Sequence, residues 1–307
     1  MSFRRSTLTS TFAALCCSGL SLVSNAQEIS PVQSKANPFD LDRVAPVMLA
    51  GSDEASAQFQ KSSLPSLTTF LKTELSERKP IDSSARLIDP SQLTLKTAAD
   101  VRVYFIGEGA GYENSLGFNT LDAIDWKDGS SSKGKKPEDA LPAALGANGL
   151  LIFPNASSPV SMFDPAAKAI RSKSAPLLPG DFVDLGKFEG GTSFDFFLIA
   201  DGAKDGEMVY STDTSLNPDG INHVVAFAYT IKDSPYLILG FEDLYGGGDR
   251  DYNDILFAID IGRANLAALT ATPEPATLIT LGGFAGLGWA VKRRQNANAR
   301  SKGTTAE

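Results

Sequence analysis

Short apolar runs separated by turn-forming residues dominate the chain from about residue 93 onward, and they restrict its fold more than any other feature. Seven of these runs stand out, at 101–106, 150–153, 182–185, 193–199, 224–231, 236–241 and 255–261. Gly, Asn, Asp and Pro separate them, and no helical pattern of about 12 residues intervenes. Strands without crossover helices pair in antiparallel fashion, so we predict a mainly β domain over 100–261, an antiparallel β-sandwich or jelly roll.

A polar segment and one helical pattern precede this domain. Residues 27–62 are rich in Ser, Pro, Ala and Asp without a sustained period, which predicts a flexible leader. Within 63–99, the residues that recur at helical spacing are Leu67, Phe70, Leu71 and Leu75. They predict one short N-terminal amphipathic helix, followed by a connector, that packs on the domain. On the C-terminal side of the domain, we predict a linker over residues 262–272.

The N-terminus has the order basic, apolar, small that a secretory signal peptide requires. Two arginines precede an apolar stretch that ends near Val23, and Ser24-Asn-Ala26 forms a cleavage site of the A-x-A type. We therefore expect signal peptidase to remove residues 1–26 by cutting between Ala26 and Gln27. The alternative interpretation is a buried N-terminal helix.

The C-terminus carries a second targeting pattern. Its parts are, in order, Pro273, Glu274 and Pro275, the uncharged apolar span 276–291, and the basic cluster Lys292, Arg293 and Arg294. An apolar helix of this length approaches the ~30 Å thickness of a bilayer core, and basic residues favour the cytoplasmic side. We therefore expect a transmembrane helix over 276–291 and a cytoplasmic tail over 295–307. A buried core helix is the alternative.

This order of motifs resembles the PEP-CTERM sorting signal of exported proteins in Gram-negative bacteria that make exopolysaccharide. The resemblance implies that an exosortase, a membrane peptidase, recognises residues 273–294 and cuts near the Pro-Glu-Pro. It also implies that the protein is anchored in the inner membrane before processing and then reaches the cell surface or the extracellular matrix of a biofilm. The tail 295–307 is longer than is usual in that family.

The charge distribution argues against nucleic acid as a partner. Residues 27–275 contain 35 acidic and 21 basic side chains, a net charge of −14, whereas the whole chain carries −8. Such a surface repels nucleic acids and attracts cations. The chain has one histidine, and its two cysteines, Cys16 and Cys17, lie in the signal segment, so a zinc site of the Cys and His type is excluded.

The segment 240–255 concentrates oxygen ligands between two apolar runs. The candidate metal ligands are Glu242, Asp243, Asp249, Asp251, Asn253 and Asp254. Neighbouring carboxylates repel one another unless a cation lies between them, and Ca²⁺ takes about six to eight oxygen ligands. The spacing begins like an EF-hand loop, but Asp254 replaces its glycine and a strand follows instead of a helix. We therefore predict a Ca²⁺ loop on a β-scaffold. The alternative is a solvated acidic turn with Arg250 as an internal ion-pair partner.

Motifs in the β-rich region also resemble a bacterial extracellular module, domain-of-unknown-function family 4114. They lie at 107–117, 179–186, 196–200, 216–223 and 241–254. The resemblance covers roughly residues 100–261 and implies a secreted or surface β-rich module that is often found with PEP-CTERM tails. It implies no biochemical activity, and it limits the candidate metal ligands to the six residues in the matching motif.

Two other motifs have a chemical interpretation and a simpler structural one. Gly107-Glu-Gly-Ala-Gly111 follows a strand as a phosphate loop does, but no helix pattern or Lys-Ser/Thr follows, so we expect a tight turn. His223 is the one imidazole available to a catalytic site, and a turn or edge contact is its simpler interpretation.

The sequence as a whole predicts a noncatalytic exported surface protein, stabilised by Ca²⁺, that binds exopolysaccharide or a surface partner. One alternative is a secreted glycan-cleaving enzyme that uses paired carboxylates such as Glu242 and Asp251. The chain has only two tryptophans and no evident apolar pocket beside these acids, which disfavours that interpretation. A third interpretation is a coat or spacer protein whose cation binding is incidental.

Overall fold

A computed structural model of the chain describes residues 27–75, 87–120, 142–161, 170–229 and 236–271. The expected signal peptide, its cleavage site at Ala26, the sorting signal at 273–294 and the tail at 295–307 lie outside these residues. Within the described ranges, no helix is long and apolar enough to cross a membrane.

The described residues form ten β-strands and three α-helices. The strands are β1 (Leu87–Ile88), β2 (Ala99–Gly107), β3 (Ser115–Thr120), β4 (Leu150–Phe153), β5 (Phe182–Phe188), β6 (Phe194–Ile199), β7 (Val209–Ser211), β8 (Val224–Tyr229), β9 (Tyr236–Phe241) and β10 (Ile255–Asp260). The helices are α1 (Glu54–Gln58), α2 (Leu64–Glu74) and α3 (Arg263–Thr270). Short 3-10 turns occupy Pro38–Asp40, Pro90–Gln92, Ala143–Leu145, Gly202–Lys204 and Thr214–Leu216.

The strands assemble into two antiparallel sheets. The larger sheet has the order β1-β8-β9-β10-β2-β5, and the smaller sheet has the order β4-β3-β6-β7. Each of the seven apolar runs contains residues of a strand within the described part of the chain, so the mainly β prediction is confirmed. Three strands had no such run and are additional: β1, β3 and β7.

A shared hydrophobic core lies between the two sheets. In β2, Val103 and Phe105 face this core, whereas Tyr104 and Ile106 point to the opposite side of the larger sheet. The alternation follows from the two-residue period of a strand. Leu198 of β6 and other side chains of the smaller sheet complete the core from the facing side. The larger sheet therefore has apolar side chains on both faces, and its outer face needs a cover.

A helical segment from Glu54 to Glu74 covers that outer face. It consists of α1, a π-helical turn at Phe59–Ser63 and α2, which together make one helix of 21 residues. Its apolar side packs on β-strand residues of the larger sheet, which include Tyr104, Phe227 and Ile238. The predicted amphipathic helix is therefore present, and it begins about nine residues earlier than the apolar pattern indicated.

Residues 27–62 differ from the flexible leader that their composition predicts. Met48 exchanges backbone hydrogen bonds with Phe182 of β5, with N···O distances of 2.8 and 3.2 Å. Val44 N donates to Leu151 O of β4 at 3.0 Å, so the segment contacts both sheets. Residues 27–53 carry no period because they are mostly irregular and bury isolated side chains such as Val47, whereas 54–62 already belong to the helical segment.

The expected linker at 262–272 contains helix α3. Leu266 is buried in the core, and the Asn265 side chain accepts hydrogen bonds from Lys96 N at 2.8 Å and Thr97 N at 2.9 Å. These bonds tie the helix to the chain that enters β2. The helix is short, so its position depends on these tertiary contacts more than on helix propensity, which explains why its sequence pattern is weak.

Candidate metal centre

The acidic segment forms the connection between β9 and β10. Phe241 and Ile255 pair across the two strands, so the ends of the connection lie side by side. Asp254 N donates to Phe241 O at 3.1 Å, and Glu242 N donates to the carbonyl of His223 at 2.9 Å. The strand pairing thus holds a 13-residue loop at one end of the molecule and turns its acidic residues toward each other.

Three carboxylates of this loop converge on one point. Glu242, Asp249 and Asp251 each offer an oxygen, and these oxygens all lie within 4.8 Å of one another. Glu242 is 1% exposed and Asp251 is 3% exposed, whereas Asp249 is open to solvent. Burial raises the pKa of Glu242 to about 7, and the charges of Asp251 and Asp249 add to this effect. The loop therefore holds negative charge where water cannot fully stabilise it.

The backbone of the loop is shaped around Glu242. Tyr252 N donates to Glu242 Oε1 at 2.8 Å, and Tyr252 itself has a left-handed φ of 54°. Gly248 has a φ of 46°, and a Cβ at this position would collide with Glu242 Oε2. The left-handed φ favours glycine at 248, and the space that the Glu242 carboxylate occupies leaves no room for a side chain there.

The three carboxylates fit a hard divalent cation. Oxygens that bind one Ca²⁺ at about 2.4 Å are at most about 4.8 Å apart. The three carboxylate oxygens lie within that distance of one another. All three ligands are carboxylate oxygens, the type that Ca²⁺ prefers, and their number leaves positions for backbone oxygens or water. Of the six residues predicted as ligands, the structure brings Glu242, Asp249 and Asp251 together.

Asp243 and Asp254 form a separate pair beside this group. Asp254 Oδ2 accepts a hydrogen bond from Asp243 N at 2.8 Å, and Asn114 Nδ2 donates to Asp243 Oδ2 at 2.7 Å. Burial and the neighbouring charge of Asp243 together raise the pKa of Asp254 to about 9. Two buried carboxylates side by side repel each other. At neutral pH the pair therefore favours holding a proton.

Asn253, the sixth predicted ligand, links the loop to the turn that follows β2. Its backbone oxygen accepts a hydrogen bond from Gly109 N at 3.0 Å, and its own N–H donates to Asp251 Oδ1 at 3.3 Å. The side chain is 3% exposed and lies against Gly109. Arg250, the proposed internal partner of an acidic turn, forms no ion pair with any residue that the structure describes.

Glu108 belongs to the same acidic end, although the sequence motif did not include it. It lies in the turn after β2, and its Oε1 accepts a hydrogen bond from Ser158 N at 3.2 Å. Burial raises its pKa to about 7, and the charge of Asp243 contributes. The sequence feature that could have pointed to Glu108 is the glycine-rich segment 107–111 around it. The backbone of this segment packs against Asn253 at Gly109. A strand, β3, follows this turn, so the phosphate-loop geometry is absent from the described segment 107–120.

His223 joins the acidic loop to the preceding turn. The buried imidazole stacks on Tyr210 with ring centroids 3.8 Å apart. Its Nε2 lies 2.8 Å from Asp219 Oδ2, and its Nδ1 lies 3.1 Å from the backbone oxygen of Glu242. Asp219 also accepts a hydrogen bond from Gly246 N at 2.8 Å. The histidine thus supports the first half of the loop from the interior, directly at Glu242 and through Asp219 at Gly246, as a turn contact does.

The family described as Domain of unknown function (DUF4114) matches residues 188–262. A DUF4114 domain is therefore present from the end of β5 to the residue before α3, and it contains all three carboxylates of the centre. The strands β1 to β4, which belong to both sheets, lie before the matched region. No curated protein and no solved structure matches the chain.

Proposed function

We propose that the chain is a noncatalytic exported surface protein that binds Ca²⁺ through Glu242, Asp249 and Asp251. The observation that carries the cation proposal is the convergence of three carboxylate oxygens within 4.8 Å, two of them on buried side chains. A divalent ion offsets their mutual repulsion, and its binding energy adds to the stability of the fold. The ion has a structural role in this proposal and takes part in no reaction.

The targeting part of the proposal rests on the two ends of the sequence. A signal peptide would direct the chain out of the cytoplasm, and a PEP-CTERM signal would hold it in the inner membrane until an exosortase cuts it. The two sheets with their shared core would then form a β-sandwich of the jelly-roll type at the cell surface or in the extracellular matrix. Exopolysaccharide is the partner that fits this location, and the net charge of −14 over residues 27–275 disfavours nucleic acid.

A glycan-cleaving enzyme is the second candidate, and one observation favours it. Glu242 has a pKa near 7 and a carboxylate neighbour in Asp251, as the acid of a glycosidase does. Glu242 is only 1% exposed, however, and its oxygens face Tyr252 N and Gly248 within the loop. A sugar cannot approach a carboxyl in this position, so the arrangement suits an ion better than a substrate.

Direct titration tests the cation proposal. Isothermal titration of the full chain with CaCl₂ should give saturable binding near one ion per chain, and Glu242→Gln should abolish it. Glu189→Gln is the matched control because Glu189 is an exposed glutamate outside the loop. Equal binding by both variants would contradict the assignment. Release of reducing sugar from exopolysaccharide by the wild type, lost in Glu242→Gln, would favour the enzyme instead.

A further inference from the structure

The first residue of the expected mature chain, Gln27, is held by the fold through its side-chain amide. Its Nε2 donates hydrogen bonds to Asp53 Oδ2 at 2.9 Å and to Asp184 Oδ2 at 3.1 Å. Asp53 is the N-cap residue of α1, and Asp184 lies in β5, an edge strand of the larger sheet. The amide therefore bridges the start of the covering helix and the edge of the sheet that this helix covers.

The two carboxylates that accept these hydrogen bonds are themselves fixed by Arg102 of β2. Arg102 Nε lies 2.5 Å from Asp184 Oδ1, and Arg102 Nη2 lies 2.9 Å from Asp53 Oδ2. The guanidinium packs over the Phe182 ring, 4.1 Å from the ring centroid. Hydrogen bonds between charged groups are stronger than those between neutral groups. The acceptors of the Gln27 amide therefore stay in place instead of following its movements.

The backbone that follows Gln27 is also fixed from its first residue onward. Leu49 N donates to Glu28 O at 2.7 Å, and Ser30 N donates to Val47 O at 2.9 Å. These bonds pair the start of the segment with a second stretch of the same segment. The backbone of Gln27 therefore has little freedom to rearrange around its own side chain.

A glutamine with a free α-amine can react with itself. The amine nitrogen attacks the side-chain carbon Cδ and forms a new C–N bond, the bond from Cδ to Nε2 breaks, and ammonia leaves with a proton from the amine. The attack needs the amine and Cδ about 3–3.5 Å apart, so the side chain must fold back onto its own backbone. In the fold, Nε2 is directed instead to two carboxylates on other elements, and folding back would break both hydrogen bonds.

We propose that Gln27 is a modification site that the fold keeps closed: the hydrogen bonds from its amide to Asp53 and Asp184 hold it open and slow its cyclisation to pyroglutamate. This inference rests on the proposed cleavage between Ala26 and Gln27, because only a free α-amine can react. It does not depend on Ca²⁺. The folded, processed chain thus keeps a free α-amine and an N-terminus that is tied to the domain.

The test follows the N-terminus of the processed protein. The full chain is exported by a bacterial host, and mass spectrometry of the purified protein identifies its N-terminal residue. Cyclisation during incubation at neutral pH then appears as the loss of the mass of one ammonia. We expect it to be about tenfold slower or more in buffer than in urea, since hydrogen bonds to charged groups must break first in the folded protein.

A matched pair of variants tests the hydrogen bonds themselves. Asp184→Ala removes one acceptor and should speed cyclisation in buffer toward the rate in urea. Asp100→Ala is the control, because Asp100 is an exposed aspartate in β2, the strand that carries Arg102. In urea the wild type and both variants should react at the same rate, since the effect acts through the fold.

The outcomes separate this inference from the proposed processing. A mature chain that begins at a residue other than Gln27 would overturn the cleavage site together with this inference. A chain that begins at Gln27 but cyclises equally fast in buffer and in urea, or is already pyroglutamate when purified, would overturn the inference alone. Equal rates for Asp184→Ala and Asp100→Ala in buffer would likewise overturn it.

Discussion

Gly248 lies directly against the carboxylate of Glu242, so that a Cβ at position 248 would occupy the space of Oε2. The loop therefore places a candidate ligand in contact with a glycine of left-handed conformation. This relationship couples the conformation of the turn to the position of the carboxylate. A substitution at Gly248 should therefore weaken Ca²⁺ binding more than it destabilises the fold.

Gly248→Ala should weaken the Ca²⁺-induced stabilisation, since the added methyl group displaces Glu242. Gly246→Ala is the matched control: it has a similar left-handed φ of 82°, but nothing lies within 4 Å of its Cβ position. Each variant should lose about 1 kcal/mol of stability from the left-handed backbone. Only Gly248→Ala should also reduce the difference between melting temperatures in Ca²⁺ and in EDTA. If both variants reduce the difference between melting temperatures in Ca²⁺ and in EDTA equally, the contact between position 248 and Glu242 does not matter for the ion.

Glu242→Gln should have opposite effects with and without the ion. In EDTA at pH 8 the substitution removes a buried charge that repels Asp249 and Asp251, so the melting temperature should equal or exceed that of the wild type. In Ca²⁺ the variant should lack most of the stabilisation because one ligand is neutral. Thermal unfolding followed by circular dichroism measures both, with Glu189→Gln as control. A variant that is less stable in EDTA and keeps the full Ca²⁺ effect would contradict the assignment.

The stability of the ion-free protein should fall as pH rises. The pKa of Glu242 is about 7 in the fold against an ordinary value of 4.5, so the folded state binds a proton more tightly than the unfolded state. The stabilisation from the protonated Glu242 carboxyl is complete below about pH 4.5 and is lost as pH rises through about 7. The Glu108 carboxyl, whose pKa is also raised to about 7, contributes in the same pH range. Asp254 extends the fall toward pH 9. Urea unfolding in EDTA from pH 5 to 9 measures this trend, and saturating Ca²⁺ should flatten it. A free energy of unfolding that rises with pH in EDTA would be inconsistent with these buried carboxyls.

Phe59→Ala tests whether the N-terminal segment is part of the folded unit. The Phe59 ring is fully buried and stacks on Tyr104 of β2 with ring centroids 4.0 Å apart. Its removal should cost about 3–5 kcal/mol, as large cavities in a core do. Ile29→Ala, at a side chain that is 56% exposed, should change stability by less than about 0.5 kcal/mol. A cost below about 1 kcal/mol for Phe59→Ala in denaturant unfolding would favour a loosely attached leader.

The strands were predictable where apolar side chains form continuous runs, as in β9 and β10, because both faces of the larger sheet are covered. Strand β3 was not, because Gly117 and Asn119 interrupt its apolar residues and mimic a loop. The segment before the helix was not predictable for a related reason: single residues such as Met48 dock against β5 through backbone bonds that leave no period in the sequence.

The acidic loop was predictable as a unit, since its sequence contains six candidate oxygen ligands within 13 residues. Its division into a three-carboxylate group and the pair Asp243 and Asp254 was not predictable, because it depends on which side of the loop each residue faces. Glu108 and Asn114 come from another connection, and only the pairing of distant strands brings them close. Their contribution required the tertiary structure.

The most direct test of the cation proposal is the melting temperature of the full chain in millimolar Ca²⁺ and in EDTA at pH 7.5. A ligand at 100 times its dissociation constant adds about 2.7 kcal/mol, which corresponds to a rise of about 5–10 °C for a domain of this size. Mg²⁺ should give a much smaller rise because it retains its water and demands octahedral geometry. A Ca²⁺ effect below about 1 °C, or an equal effect of Mg²⁺, would contradict a Ca²⁺ site at Glu242, Asp249 and Asp251.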